Sequence, residues 1–101
     1  MRAAGAVWTL EDDEGTPAPA NAEGRRSMPF WSTRSRVERI IASVPAYAGF
    51  RPVEISLDEF QSHWLDGLEQ DGLLVGINWS GARATGYDVE PRDVRDWLAA
   101  E

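Results

Sequence analysis

The stretch VEISLDEFQSHWLDGLEQDGLLVGINW (53–79) constrains the fold more than any other part of the chain. Ser56 and Glu59 have the spacing of a capping box, which ends a strand and starts a helix by satisfying backbone N–H groups with side chains. Ile55 and Phe60 flank the box in staple positions. Beyond it, Leu57, Phe60, Trp64, Leu65 and Leu68 fall on one arc at about 100° per residue, which predicts a helix over 57–70. Gly72 suits a left-handed stop. VEI (53–55) reads as a short strand before this helix. LLVGINW (73–79) reads as a strand after it, with Val75, Ile77 and Trp79 on one face.

The remaining segments follow the same two periodicities. AVWTL (6–10) alternates as a strand, with Ala6, Trp8 and Leu10 on one face, and EDDEG (11–15) makes a charged turn. Residues 16–27 contain two prolines and no periodicity, as expected of a surface loop. MPFW (28–31) is a short strand whose Pro29 points to an edge position. Ser32 or Thr33 caps a helix over 33–43, or the box Ser35–Glu38 starts it a turn later. Val37, Ile40, Ile41 and Val44 form its apolar stripe, and Pro45 ends it. SGARATG (80–86) turns, and TGYDV returns antiparallel. Pro91 opens a last helix over 91–100, with Val94, Trp97 and Leu98 inward. The order β, β, α, β, α, β, β, α predicts an α+β fold. We expect a small, mainly antiparallel sheet of about five strands, covered by two or three helices, in one domain spanning 1–101.

Charge and composition exclude several function classes. The net charge is −7, and all ten basic residues are arginines. An acidic chain is poorly suited to nucleic acid, which requires an electropositive face. The lack of cysteine removes disulfides, thiolate metal sites and cysteine nucleophiles. No apolar run approaches the ~20 residues that span a bilayer, so no membrane partner is expected. MRAAGAVW lacks a secretory apolar segment, and a cytoplasmic location is expected.

The segments VWTLEDDEG, MPFWSTRSRVERI, PVEISLDEF and WLDGLEQDGLLVGINW together resemble a bacterial family, the domain of unknown function 2750. The shared features are the early tryptophan strand, the short strand ending in tryptophan before a helix, and the strand, Leu-x-x-Phe helix, strand unit. The resemblance runs from about residue 7 to 89. It implies the fold and assigns no catalytic residue.

Catalytic signatures are sparse. His63 is the only histidine. Glu59 and His63 have metal-ligand spacing on a helix, but a solvated polar face is the better explanation of them. The run Glu11–Glu14 lacks the alternation of an EF-hand loop. Ser62 beside His63 is a poor dyad, because helix neighbours point in different directions. No catalytic site, cofactor or metal is expected, and the chain reads as a non-enzyme.

The candidate site lies at the start of the 33–43 helix. Arg34 and Arg36 place cations where the exposed N–H groups are already partly positive. Either the acidic turn 11–14 or Glu38 neutralises them, or an anion or a partner's acidic side chain does. In the second case Ser32, Thr33, Arg34 and Arg36 form the binding site, walled by Trp31. Trp79, with Tyr87, then extends it as a recognition surface, although packing in the core or at its rim is the preferred reading of Trp31 and Trp79. We therefore expect a non-catalytic, protein-binding or regulatory module of adaptor or immunity type. A small-molecule or anion-binding domain on the same helix start, with or without enzymatic activity, and a self-associating homodimer, are the alternatives.

Overall fold

A computed structural model describes residues 5–20, 23–81 and 85–99, with Thr85 as backbone. The described residues form five strands: β1 (Ala6–Glu11), β2 (Ser27–Phe30), β3 (Arg51–Ser56), β4 (Leu74–Ser80) and β5 (Thr85–Val89). Helix α1 (Arg34–Ser43) follows β2, and a short 3₁₀ turn, Pro45–Tyr47, leads into β3. After β3 a single continuous helix covers 57–70. It begins as α2 (Leu57–Glu59), passes through a π-helical stretch (Phe60–Trp64) and ends as α3 (Leu65–Gln70). Helix α4 (Pro91–Ala99) closes the order. The fold is α+β, as expected.

The local signals act as the sequence predicts. Ser56 Oγ accepts from the Glu59 N–H at 3.1 Å, and Ile55 and Phe60 are both buried. Thr33, not Ser35, caps α1, and its Oγ1 accepts from the Arg36 N–H at 3.3 Å. Gly72 has φ of 69° and stops the long helix. In the 16–27 loop, the Ser27 N–H donates to Pro19 O and Arg26 Nε donates to Ala18 O. Residues 21 and 22 of that loop, and 82–84 of the 80–86 turn, lie outside the described residues.

The strands form two small sheets rather than one. β1 pairs antiparallel with β3, and the order β2–β4–β5 makes the second sheet, parallel then antiparallel. One bridge joins them: Trp8 N–H donates to Trp31 O at 2.8 Å, and Trp31 N–H donates to Trp8 O at 2.7 Å. Continuing that register by two residues sets Leu10 against Pro29, whose nitrogen has no hydrogen to donate. The ladder stops there. The buried Thr9 hydroxyl donates to Pro29 O at 2.8 Å instead. Pro29 lies on the edge strand of the three-stranded sheet, as expected, with β1 against its open side.

The joined sheets carry a core on each face. One contains Val7, Phe30, Phe60, Leu65, Val75, Ile77 and Val94, beneath the 57–70 helix and α4. The other contains Leu10, Trp31, Val37, Ile40, Tyr47 and Trp79, beneath α1. β1 is buried on both sides, with Val7 facing one core and Leu10 the other. Val75 and Ile77 share a face as expected, but Trp79 does not join them. The β4–β5 register shifts between Ile77 and Ser80, and Asn78 adopts φ of 49°. The bulge turns Trp79 to the opposite face. Its ring then lies across Gly76 and Gly86, and a Cβ at Gly86 would stand 2.8 Å from Trp79 Cδ1.

Two outcomes follow from this packing. Gly76→Ala drives a methyl group into the Trp79 ring and is expected to destabilise the fold by about 1–3 kcal/mol in urea titrations. Burial raises the Tyr47 hydroxyl above its ordinary pKa of 10.0. The folded chain then keeps a proton that the unfolded chain has lost. Stability is therefore complete below pH 10.0 and declines as pH rises through the folded value. Tyr47→Phe is expected to flatten that decline, measured as urea midpoints at about pH 8.5 and about pH 11.

Candidate functional site

Of the two cations at the start of α1, Arg34 is neutralised locally. Arg34 Nε lies 3.2 Å from Glu38 Oε2, and its guanidinium sits 5.6 Å over the Trp8 ring. The acidic turn goes elsewhere. β1–β3 pairing sets Glu11 opposite Arg51, whose guanidinium contacts Glu11 at 3.5 Å and Asp13 at 3.6 Å. Ser32 is occupied too: its N–H donates to Asn78 Oδ1 at 2.9 Å. Thr33 is spent on the cap.

The tryptophans of the expected site are internal. Trp31 has no exposed surface, and its Nε1 donates to Trp79 O at 2.8 Å. Trp79 is 6% exposed, and its Nε1 donates to Asp88 Oδ1 at 3.1 Å. Trp31 offers no wall to a ligand at the helix start, and Trp79 shows only a small part of its surface. Their strand-end positions are covered by α1, which sequence position alone does not reveal.

The exposed aromatics are Tyr87, 80% exposed, and Trp97, 46% exposed. Trp97 was expected inward with Val94 and Leu98, which are buried. It lies at the margin of the α4 stripe and reaches past the core. Arg36, Asn78, Ser80, Gly86, Tyr87 and Trp97 line an open concavity of about 580 Å³. A second concavity, of about 270 Å³, is lined by Arg36, Arg39, Ser43, Trp79, Ser80 and Gly81. The two share Arg36 and Ser80. Among the described residues, no carboxylate lines either one, and neither Arg36 nor Arg39 makes an ion pair. Of the expected site, only Arg36 and a part of Trp79 reach this surface. Arg39 and Trp97 are the residues that sequence reasoning missed. The i, i+3 spacing of Arg36 and Arg39 was the available signal for the first.

Ser62 and His63 meet despite being neighbours. Ser62 Oγ stands 2.9 Å from His63 Nδ1. The same hydroxyl donates to Asp58 O at 2.7 Å, and a carbonyl can only accept. The serine proton is therefore committed, and His63 must donate from Nδ1. A nucleophilic serine needs the reverse, a histidine that accepts its proton. His63 also borders a shallow hollow with Met28, Trp64 and Leu68. Among the described residues, no three histidine or acidic side chains converge on a metal position. No described helix is long and apolar enough to cross a membrane.

Arg34→Ala is expected to cost less than about 1 kcal/mol, because its ion pair is largely solvated. Asn78→Ala, which removes the acceptor of the Ser32 N–H and strains a positive φ, is expected to cost about 1–3 kcal/mol. Urea denaturation of both variants reads the contrast.

No curated protein matches the chain. Residues 1–98 match the family model described as protein of unknown function (DUF2750), and the chain belongs to that family.

Proposed function

We propose that this protein is a non-catalytic, cytoplasmic module that binds another protein chain, in an adaptor or regulatory role. The observation that carries this reading is the grouping of the exposed aromatics, Tyr87 and Trp97, with Arg36 around one concavity. Tryptophan, tyrosine and arginine are the residues that dominate the energetics of protein interfaces. An aromatic left in water contributes little to folding, and it gains most when a partner covers it. The surface expected at the helix start is thereby moved toward β5 and α4. Arg36 is the residue common to both.

A second copy of the chain is the other occupant that β5 favours. β5 pairs only with β4 among the described strands, so its far side presents unpaired backbone groups. That reading requires mass to rise with concentration in sedimentation equilibrium.

Trp97→Ala tests the proposal. Affinity capture from source-cell extract is expected to retain a specific partner with the parent chain and to lose it with the variant. The variant's urea midpoint is expected to stay close to the parent's, because Trp97 is half exposed. Equal capture by both chains removes this face from the function.

A further inference from the structure

We infer that the two concavities sharing Arg36 form one groove for an extended acidic peptide, whose carboxylates meet Arg36 and Arg39 and whose apolar side chain covers Trp97. The inference rests on the protein-binding reading above and specifies the partner's chemistry.

Charge complementarity carries it. The chain has 17 acidic and 10 basic residues, yet the charged side chains lining both concavities are arginines alone among the described residues. The other cations nearby are spoken for. Arg34 pairs with Glu38, and Arg51 with Glu11 and Asp13. Arg95 holds Asp66 and Glu69. Arg36 and Arg39 keep their guanidinium forks open, and a fork accepts a carboxylate in two parallel bonds.

Spacing selects an extended backbone. Residues three apart on a helix have Cβ atoms about 5–6 Å apart. Side chains two apart on an extended peptide lie on one face at about 6.5–7 Å. An acidic residue at every second position therefore meets Arg39 and Arg36 in turn. Ser80 and Arg36 continue the groove into the larger hollow, where Tyr87 and Trp97 stand. The next side chain on the same face is apolar. The recognised pattern is acid, any residue, acid, any residue, then an aromatic or large aliphatic residue, in one chain direction or the other.

Nucleic acid is a poor alternative, because two arginines on a chain of net charge −7 neutralise too few phosphates. A small anion would use the arginines and leave the aromatics uncovered.

The test uses the whole chain and a fluorescein-labelled peptide of alternating glutamate and serine leading to phenylalanine, read by anisotropy. Three control peptides carry glutamine for glutamate, alanine for phenylalanine, or the same residues scrambled. Saturable binding of the parent peptide is expected. Weakening of about tenfold or more is expected from glutamine replacement, from Arg36→Ala with Arg39→Ala, and from Trp97→Ala. Added salt should weaken the parent chain's binding more than that of the double arginine variant. Circular dichroism confirms that the variants stay folded.

Binding indifferent to the arginine substitutions, or absent for every peptide, overturns the inference. Displacement by millimolar inorganic phosphate, with Trp97→Ala binding as tightly as the parent, assigns the groove to a small anion and also overturns it. Tighter binding of a labelled single-stranded oligonucleotide than of the peptide does the same. If the peptide fails while capture of a partner still depends on Trp97, the acidic specificity falls and the protein-binding function stands. If capture also loses that dependence, both fall.

Discussion

The exchange of two hydrogen bonds between Trp8 and Trp31 is the joint on which the fold depends. It is the only bridge between the two-stranded and three-stranded sheets among the described residues. Each net bond contributes about 1 kcal/mol, but an unmade one would leave a buried donor or acceptor unsatisfied at higher cost. Pro29 has no N–H with which to extend the pairing with β1, and the Thr9 hydroxyl donates to the Pro29 carbonyl. The Trp31 ring then fills the α1-side core, and its indole N–H reaches the Trp79 carbonyl. A single residue thus ties β1 by its backbone and β4 by its side chain.

The candidate groove is a downstream result of that arrangement. Trp79 must lie on the α1 side to meet Trp31, and the bulge at Asn78 puts it there. The bulge leaves a gap in the β4–β5 ladder between Ile77 and Ser80. Gly76 and Gly86 give the indole a flat bed with no side chains beneath it. Asn78 closes the local account by accepting the Ser32 N–H with its side chain. The start of α1 is thereby anchored to the bulge, and Arg36, one turn in, is held at the rim of the opening.

Most elements were legible because their signals are local. Ser56 and Glu59, Thr33, Gly72 and Pro91 act within a few residues of themselves, and the apolar stripes report the buried faces directly. What sequence did not disclose depends on strand order. The acidic turn was expected near Arg34, but it finds Arg51 because β1 pairs with β3. Trp31 stands at a strand end, where sequence position leaves core and rim open, and it is enclosed because β1 bridges its backbone and α1 lies over it. Trp79 obeys alternation in the sequence and breaks it in space, because one residue at φ of 49° reverses the face. Trp97 shares a helical stripe with Val94 and Leu98, and only the extent of the sheet beneath decides that it emerges. The site was half legible for the same reason: Arg36 is fixed by its own helix, while its aromatic neighbours come from elements distant in sequence.

The π-helical stretch has an evolutionary reading. A π turn accommodates one residue more than the α-helix around it, and here the Leu65 N–H reaches back to Phe60 O, five residues earlier. Removing one residue from 60–64 would restore ordinary helix bonding at little backbone cost. The wide turn absorbs that residue where it stands: Phe60 and Leu65, five apart, face one core, whereas an uninterrupted α-helix would set them about 140° apart. Leu65 and Leu68 therefore stay in the core, and Asp66 and Glu69 stay beside Arg95. The helix thus carries one residue more without moving the side chains beyond it.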